Sequence, residues 1–378
     1  MRTPELTALY EGTLRIARAI DARADGERFD RSLWRECAAS GLLGLGMPAA
    51  FGGSGGGAMS IAVGYEAFGY GCRDNGLAFS LASQLLSVQM PLVQLGSETL
   101  QQRYLPGLVS GDLIAAHAST EADAGSDVNR VQTVARAVDG GWCLTGAKIY
   151  SSLAPVADIA VVLARIDDGS GKSAGLAEFV VPRESYAVSK PIEKIGLHSS
   201  PFGELTLDDA FVPADHVLGH AGSGLMGFMS TMEWERALIL AFSVGAMHRE
   251  LDGCVRYAKD RKQFGFAIGS FQAVAHRIAH MRVRLETARL MLERAAETKD
   301  RGGRAALEAC MTKLHISEAR CENALDAVRV YGAFGCTTES GVERELRDAV
   351  PGLIYSGTSD IQRNTIARLL GLLSKEGS

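Results

Sequence analysis

The chain has 378 residues, 39 Lys and Arg against 44 Asp and Glu, a net charge of −5, and 47 % apolar residues. That length suggests roughly two to three structural units with a sizeable core. No basic block is present to hold nucleic acid, and no apolar run approaches the roughly 20 residues that span a bilayer.

The N-terminal segment Met1-Arg2-Thr3-Pro4-Glu5-Leu6 lacks a charged region leading into an apolar stretch, so no signal peptide is expected. Seven cysteines (37, 72, 143, 254, 310, 321 and 336) are scattered, without a Cys-x-x-Cys pair. This argues against zinc or any other metal and for buried, reduced thiols in a cytoplasmic protein.

Three zones follow in chain order. Residues 1–115 have a helical pattern, with Leu9, Ile16 and Ile20 at helical spacing and Leu33 and Cys37 resuming it. A glycine-rich break at 51–57 precedes further apolar helical stretches over 61–70 and 78–95. Residues 116–222 change to strands: Val131–Val138 roughly alternates, Asp139-Gly140-Gly141 is a turn, and Trp142–Tyr150 returns. Further short strands lie at 159–164, 177–181 and 204–207, which predicts an antiparallel barrel or sandwich. Residues 223–378 are helical again. Val274, Ile278, Met281, Leu285, Ala288, Leu292 and Ala295 form one stripe. Ala237, Leu240, Val244, Met247, Leu251 and Val255 form another on the preceding helix, and a third runs over about 305–330. Long helices with short breaks predict a bundle. The expected class is therefore α+β: a helical domain, a β domain and a C-terminal four-helix bundle.

Several segments carry chemistry. Ala118-Ser119-Thr120-Glu121-Ala122-Asp123-Ala124-Gly125-Ser126-Asp127, Lys148-Ile149-Tyr150-Ser151-Ser152, the run Arg261–Gly265 with Gln272, Val330–Gly335 with Glu339, Arg344 and Asp348, and Ile354-Tyr355-Ser356-Gly357-Thr358-Ser359-Asp360-Ile361-Gln362-Arg363 occur in this order. In order and spacing they resemble the signatures of the acyl-CoA dehydrogenase family over nearly the whole chain. Gly52–Gly57 does not follow a strand and open a helix, so a dinucleotide fingerprint is rejected. His276 and His280 lack the Glu of a metalloprotease helix and are taken as structural or surface residues.

The resemblance implies an FAD-dependent enzyme. It places Thr120 at the flavin pyrimidine edge, with His117 and Ser119 as an unusually polar pocket wall, and Ser126 at the pyrophosphate and the thioester arm. It places Tyr150 against the flavin and the Ser152 hydroxyl near N5. Arg261, Phe264 and Gln272 would reach the FAD of a neighbouring subunit, so a homotetramer is implied. An arginine suits a diphosphate because its planar fork donates two bonds at once. Arg329 and Ala333 stand where the family has Gln and Gly on the adenine side, and Thr358 and Asp360 match FAD-contacting positions.

The C-terminal motif departs from the family at one decisive point: Ser356 replaces the usual catalytic Glu. A serine hydroxyl is not a useful base near neutral pH without a partner. A minority of the family keeps the base directly before an Arg on a bundle helix, and Glu235-Arg236, expected to open the first long helix, matches that position. Glu235 is therefore the candidate base and Glu233 a weaker competitor. Arg236, Tyr355, Ser356 (through its backbone N–H) and Ser126 are candidate substrate contacts.

The segment from Lys194 to Leu205, with Ser200-Pro201-Phe202-Gly203-Glu204-Leu205, resembles relatives that oxidise groups held on carrier proteins, notably prolyl-carrier-protein dehydrogenases. This implies oxidation of an L-prolyl thioester to a pyrrole-2-carboxyl thioester in secondary-metabolite biosynthesis. An electron-transfer flavoprotein or oxygen would be the acceptor. A short- or branched-chain acyl-CoA dehydrogenase is the alternative. A flavin monooxygenase and a non-catalytic FAD-binding protein on the same fold are readings from other classes.

Overall fold

The computed structural model describes residues 2–167 and 173–373. Helix α1 (Pro4–Asp21) starts at Thr3, whose hydroxyl accepts from Leu6 N, and α2 (Arg31–Ala39) starts at Asp30, which accepts from Ser32 N and Leu33 N. These caps satisfy amides that the first helical turn leaves free. The glycine-rich break ends at α3 (Ala58–Gly71), most of whose residues are buried. Helix α4 (Asn75–Gln84) runs through a π-turn at Leu85–Gln89 into α5 (Met90–Leu95), and α6 (Glu98–Ser110) follows. The stretch Asn75–Leu95 corrects the expectation that no run could span a bilayer. It is long and apolar enough by composition, but 89 % of its most apolar window is buried inside the protein, as a core helix would be.

Strands β1 (Ala115–Ala118), β2 (Val134–Val138), β3 (Gly141–Ser152), β4 (Ile159–Asp167), β5 (Ser173–Pro182), β6 (Ala187–Val188), β7 (Phe202–Pro213) and β8 (Val217–Leu218) form one sheet. Its order is β6-β7-β3-β2-β4-β5-β8, with β1 also on β4. Most pairs are antiparallel, as expected from the hairpin signals. However, β1 and β2 both run parallel to β4, so the sheet is mixed. Strand β1 pairs with Ile159–Val162 and β2 with 165–167, so they lie end to end along one edge of β4. The loop between them, 119–133, leaves the sheet at that seam. That loop carries Thr120 and Ser126.

The C-terminal region contains α7 (Gly224–Leu238), α8 (Ala241–Asp260), a hairpin of β9 (Lys262–Gln263) and β10 (Phe266–Ala267), α9 (Gln272–Asp300), α10 (Ala306–Tyr331), α11 (Val342–Ala349) and α12 (Ser359–Leu369). The predicted α9 stripe is buried at Met281, Leu285, Ala288, Leu292 and Ala295. The stripe from Ala237 to Val255 does not lie on one helix. The helix ends at Leu238 and restarts at Ala241, so Glu235 sits in the last turn of α7 rather than opening a long helix. Neither proline nor glycine marks that break, so periodicity runs straight through it.

Helices α3 and α8 cross at backbone contact. A Cβ on Gly69 would lie 2.0 Å from the Phe242 carbonyl, and one on Gly245 would lie 2.0 Å from the Glu66 carbonyl. Only glycine permits that approach. Buried charge joins distant segments: Glu345 accepts from Arg249 (2.7 Å), Arg320 (2.5 Å) and Asn75 Nδ2 (3.0 Å), while Asp348 accepts from Asn75 Nδ2 and from Leu197 N. All seven cysteines are free. Four are buried, as expected, but Cys143 and Cys321 are half-buried and Cys336 is exposed.

Candidate active site

Three segments far apart in sequence converge on one carboxylate. Glu235, 9 % exposed, projects from the last turn of α7. Ser356 Oγ donates to its Oε1 at 2.5 Å, and Ser87 Oγ donates to its Oε2 at 2.9 Å. Thus the serine that replaces the family's loop carboxylate touches the carboxylate on the helix. Ser356 is held in the left-handed region (φ +58°), an uncommon conformation for a residue with a Cβ. Its carbonyl is fixed by Arg236 Nε at 3.2 Å and Gln362 Nε2 at 3.0 Å, and the following Thr358 caps α12 by accepting from Ile361 N. Tyr355 packs against Phe79, with ring centroids 4.6 Å apart. Glu233 is not a competing base: it accepts from Lys299 Nζ at 2.9 Å and from Ala305 N at 3.0 Å, joining α7 to the α9–α10 connection.

A second group lines the seam in the sheet. The Thr120 carbonyl accepts from Ile149 N, which joins the seam loop to β3. Glu121 accepts from Lys148 Nζ at 2.7 Å and from Gln132 N, Thr133 N and Thr133 Oγ1. Lys148 is fully buried. Burial pulls its pKa down to about 8, and Glu121 only partly offsets that. For Glu121, burial raises the pKa, but Lys148 beside it, with the Thr133 and Gln132 donors, outweighs burial and holds the carboxyl low. Two residues on, β3 bulges between Lys148 and Ser151, Tyr150 takes φ +59°, and its ring stacks on Phe202 at 5.7 Å. Tyr150 is 56 % exposed, so its other face is open. Thr120 and Ser152 are half-buried beside it, and Ser126 is exposed. His117 is held by its neighbours. Its ring is nearly buried, its Nε2 pairs with Glu178 Oε1 at 3.1 Å, and it stacks on Phe228. The Ser119 carbonyl accepts from Lys148 Nζ.

A third group lies on the surface of the chain. Arg261, Gln272 and Ala333 are exposed. Phe264 is 90 % exposed at the tip of the β9–β10 hairpin, where Phe264 and Gly265 take φ +54° and +83°. Arg329 is exposed and pairs with Asp326, and Asp360 is exposed and pairs with Arg363.

These residues fit a flavin dinucleotide. An open aromatic face, neighbouring hydroxyls and an unencumbered Gly125, whose Cβ would meet nothing within 4 Å, line one seam. Sequence reasoning missed Ser87, which lies inside an apolar run, and Glu178, which is 61 residues from His117. It quoted Glu121 and Lys148 but did not pair them. Their places in two adjoining motifs were the available signal.

The sequence matches the acyl-CoA dehydrogenase N-terminal, middle and C-terminal domains over residues 11–112, 116–210 and 222–371. The chain belongs to the acyl-CoA dehydrogenase family. Within the family it is 42 % identical, over 91 % of both chains, to an L-prolyl-[peptidyl-carrier protein] dehydrogenase of Pseudomonas fluorescens. It is 39 % identical, over 96 % of both, to the protein of the same name from a Serratia species. Among solved structures it resembles the prolyl acyl carrier protein oxidase AnaB (TM-score 0.95, 39 % identity, 98 % of this chain and 100 % of that one). It also resembles PigA with FAD and proline (TM-score 0.94, 37 % identity, 98 % and 99 %).

Proposed function

We propose that this acyl-CoA dehydrogenase family member oxidises an L-prolyl group, held as a thioester on a peptidyl carrier protein, to the pyrrole-2-carboxyl thioester. The observation that carries the reading is the placement of Glu235 against Ser356. A carboxylate stands beside the position where the family's usual base is missing, in a chain about 40 % identical to prolyl-carrier-protein dehydrogenases. The cofactor is FAD, which supplies a two-electron acceptor when bound. Thr120, Ser126, Tyr150 and Ser152 would hold its flavin and diphosphate portions.

Glu235 takes the proton from the carbon next to the thioester carbonyl. Arg236 and Gln362 fix the Ser356 carbonyl, and with it the turn whose N–H faces the thioester oxygen. An N–H aimed at a developing enolate oxygen stabilises it most where water is excluded, and Glu235, Arg236 and Ser356 are all buried. We take residues 1–115, 116–222 and 223–378 as the helical, sheet and bundle domains. The chain acts as a homotetramer in which Arg261, Phe264 and Gln272 complete a neighbour's FAD site.

Mass spectrometry after incubation with prolyl-loaded carrier protein tests the substrate, with isovaleryl-CoA as the comparison. Loss of four hydrogens from the prolyl thioester is expected, in two two-electron oxidations with oxygen or an electron-transfer flavoprotein taking the electrons from the flavin after each. Turnover of isovaleryl-CoA with an untouched prolyl thioester would overturn the reading in favour of a branched-chain acyl-CoA enzyme.

A further inference from the structure

The two hydroxyls on Glu235 come from segments far apart in the chain that pack into one apolar core. Ser87 is 148 residues from Glu235 and Ser356 is 121 residues away. Each is fixed by an unusual backbone. Ser87 sits in the π-turn that interrupts the helix from Asn75 to Leu95, and Ser356 has φ +58°. A π-turn inserts one residue into a helix and re-aims the side chains after it, and such turns gather at functional sites. Here Leu86 and Val88 on either side are buried in the apolar interior, and Ser87 is 2 % exposed, its hydroxyl bonded to Glu235. A serine in such a run has few uses other than a polar partner, because an unpaired buried hydroxyl is costly.

We infer that Ser87 and Ser356 form a two-point clamp that positions the base, Ser87 holding Oε2 and Ser356 holding Oε1. A glutamate has three rotatable side-chain bonds, and a base that wanders by about 1 Å can cost roughly 100-fold in rate. A carboxylate offers about four acceptor directions, so one donor on each oxygen leaves others free. Glu235 can therefore take the α-proton, becoming a neutral carboxylic acid, without either serine letting go. Ser87 is a positioning residue: it acts through Glu235 and does not touch the thioester. The inference rests on the assignment of Glu235 as the base.

The test uses the FAD-loaded enzyme and prolyl carrier protein in deuterated water, following exchange of the α-proton together with kcat and KM. Ser87→Ala is expected to slow both α-exchange and kcat by about 10- to 100-fold, with KM within about threefold of wild type and FAD still bound. Ser356→Ala should do the same, and the double variant should be less impaired than the product of the two, because both serve one carboxylate. Ser87→Cys, close in volume and a weak donor, should be intermediate and controls for packing. Wild-type rates of α-exchange in Ser87→Ala, a full rate in Ser87→Cys, or a raised KM at unchanged kcat would each overturn the clamp. Wild-type enzyme that neither exchanges nor oxidises the prolyl thioester would instead overturn the functional reading beneath it.

Discussion

A single substitution, Glu to Ser at 356, is tolerable only if another carboxylate reaches the same place. Glu235 does, and the contact between the two side chains is 2.5 Å. General base catalysis typically contributes about 10²- to 10⁴-fold. Glu235→Gln is isosteric, so kcat should fall by that range while the protein stays yellow with FAD. Stopped-flow absorbance should then show no bleaching of the flavin by substrate, and retained bleaching would refute the assignment. The motif letters alone identified this pair. They could not reveal Ser87, because a serine within Leu85–Met90 looks like any polar interruption of a core helix. Its meaning comes from an α7 residue that only folding brings near.

The elements explain how the flavin seam is held. The β1–β2 loop leaves the sheet where two strands share one edge of β4, and only its ends, Thr120 and Thr133, accept backbone bonds from β3 and β4; side chains must hold the rest. The Glu121–Lys148 pair does. Removing one member of a buried pair strands the other charge, at a typical cost of about 3–5 kcal/mol. Lys148→Met should cost about 3 kcal/mol, the low end, because Glu121 keeps its Gln132 and Thr133 donors. Urea unfolding of the FAD-free protein measures this. A loss under about 1 kcal/mol would show the pair to be dispensable. Glu121→Gln combined with Lys148→Met should recover part of the loss, since no charge is then left buried. The strands themselves were legible from alternation and the Asp139-Gly140 turn. Their parallel pairing was not, because alternation reports which face is buried and says nothing of the direction of a neighbour. The break between α7 and α8 was hidden for a similar reason: apolar period 3.6 continues through residues that the backbone turns around.

At the scale of the whole molecule, the hairpin tip is the feature a lone chain does not explain. Phe264 is 90 % exposed in a conformation that favours glycine, beside Phe266 at 64 %. Aromatic side chains held out in this way mark interaction surfaces. Phe264→Ala should shift the assembly towards smaller species in light scattering and weaken FAD binding by about tenfold or more. An unchanged mass and affinity, or a monomeric wild-type protein that binds FAD fully, would remove the shared-site reading. Inside the chain, the same signature that places Ala333 also supplies Asp348, which with the nearby Glu345 ties α4, α8, α10 and the Leu197 loop together. Burial alone would raise the Glu345 pKa, but Arg249 and Arg320 outweigh it and hold the carboxyl down, at about 2. These family letters are struts as much as contacts.

The sequence by itself showed the three zones of pattern, the family and the carboxylate proposed as the replacement base, because periodicity and motif spacing are local properties of the chain. Tertiary structure alone decided which groups surround that base, which strands run parallel, and that Lys148 and Glu121 neutralise each other in the interior. Those outcomes depend on distances between residues far apart in sequence. Such distances are set by burial and hydrogen-bond satisfaction over the whole fold, and no local pattern encodes them.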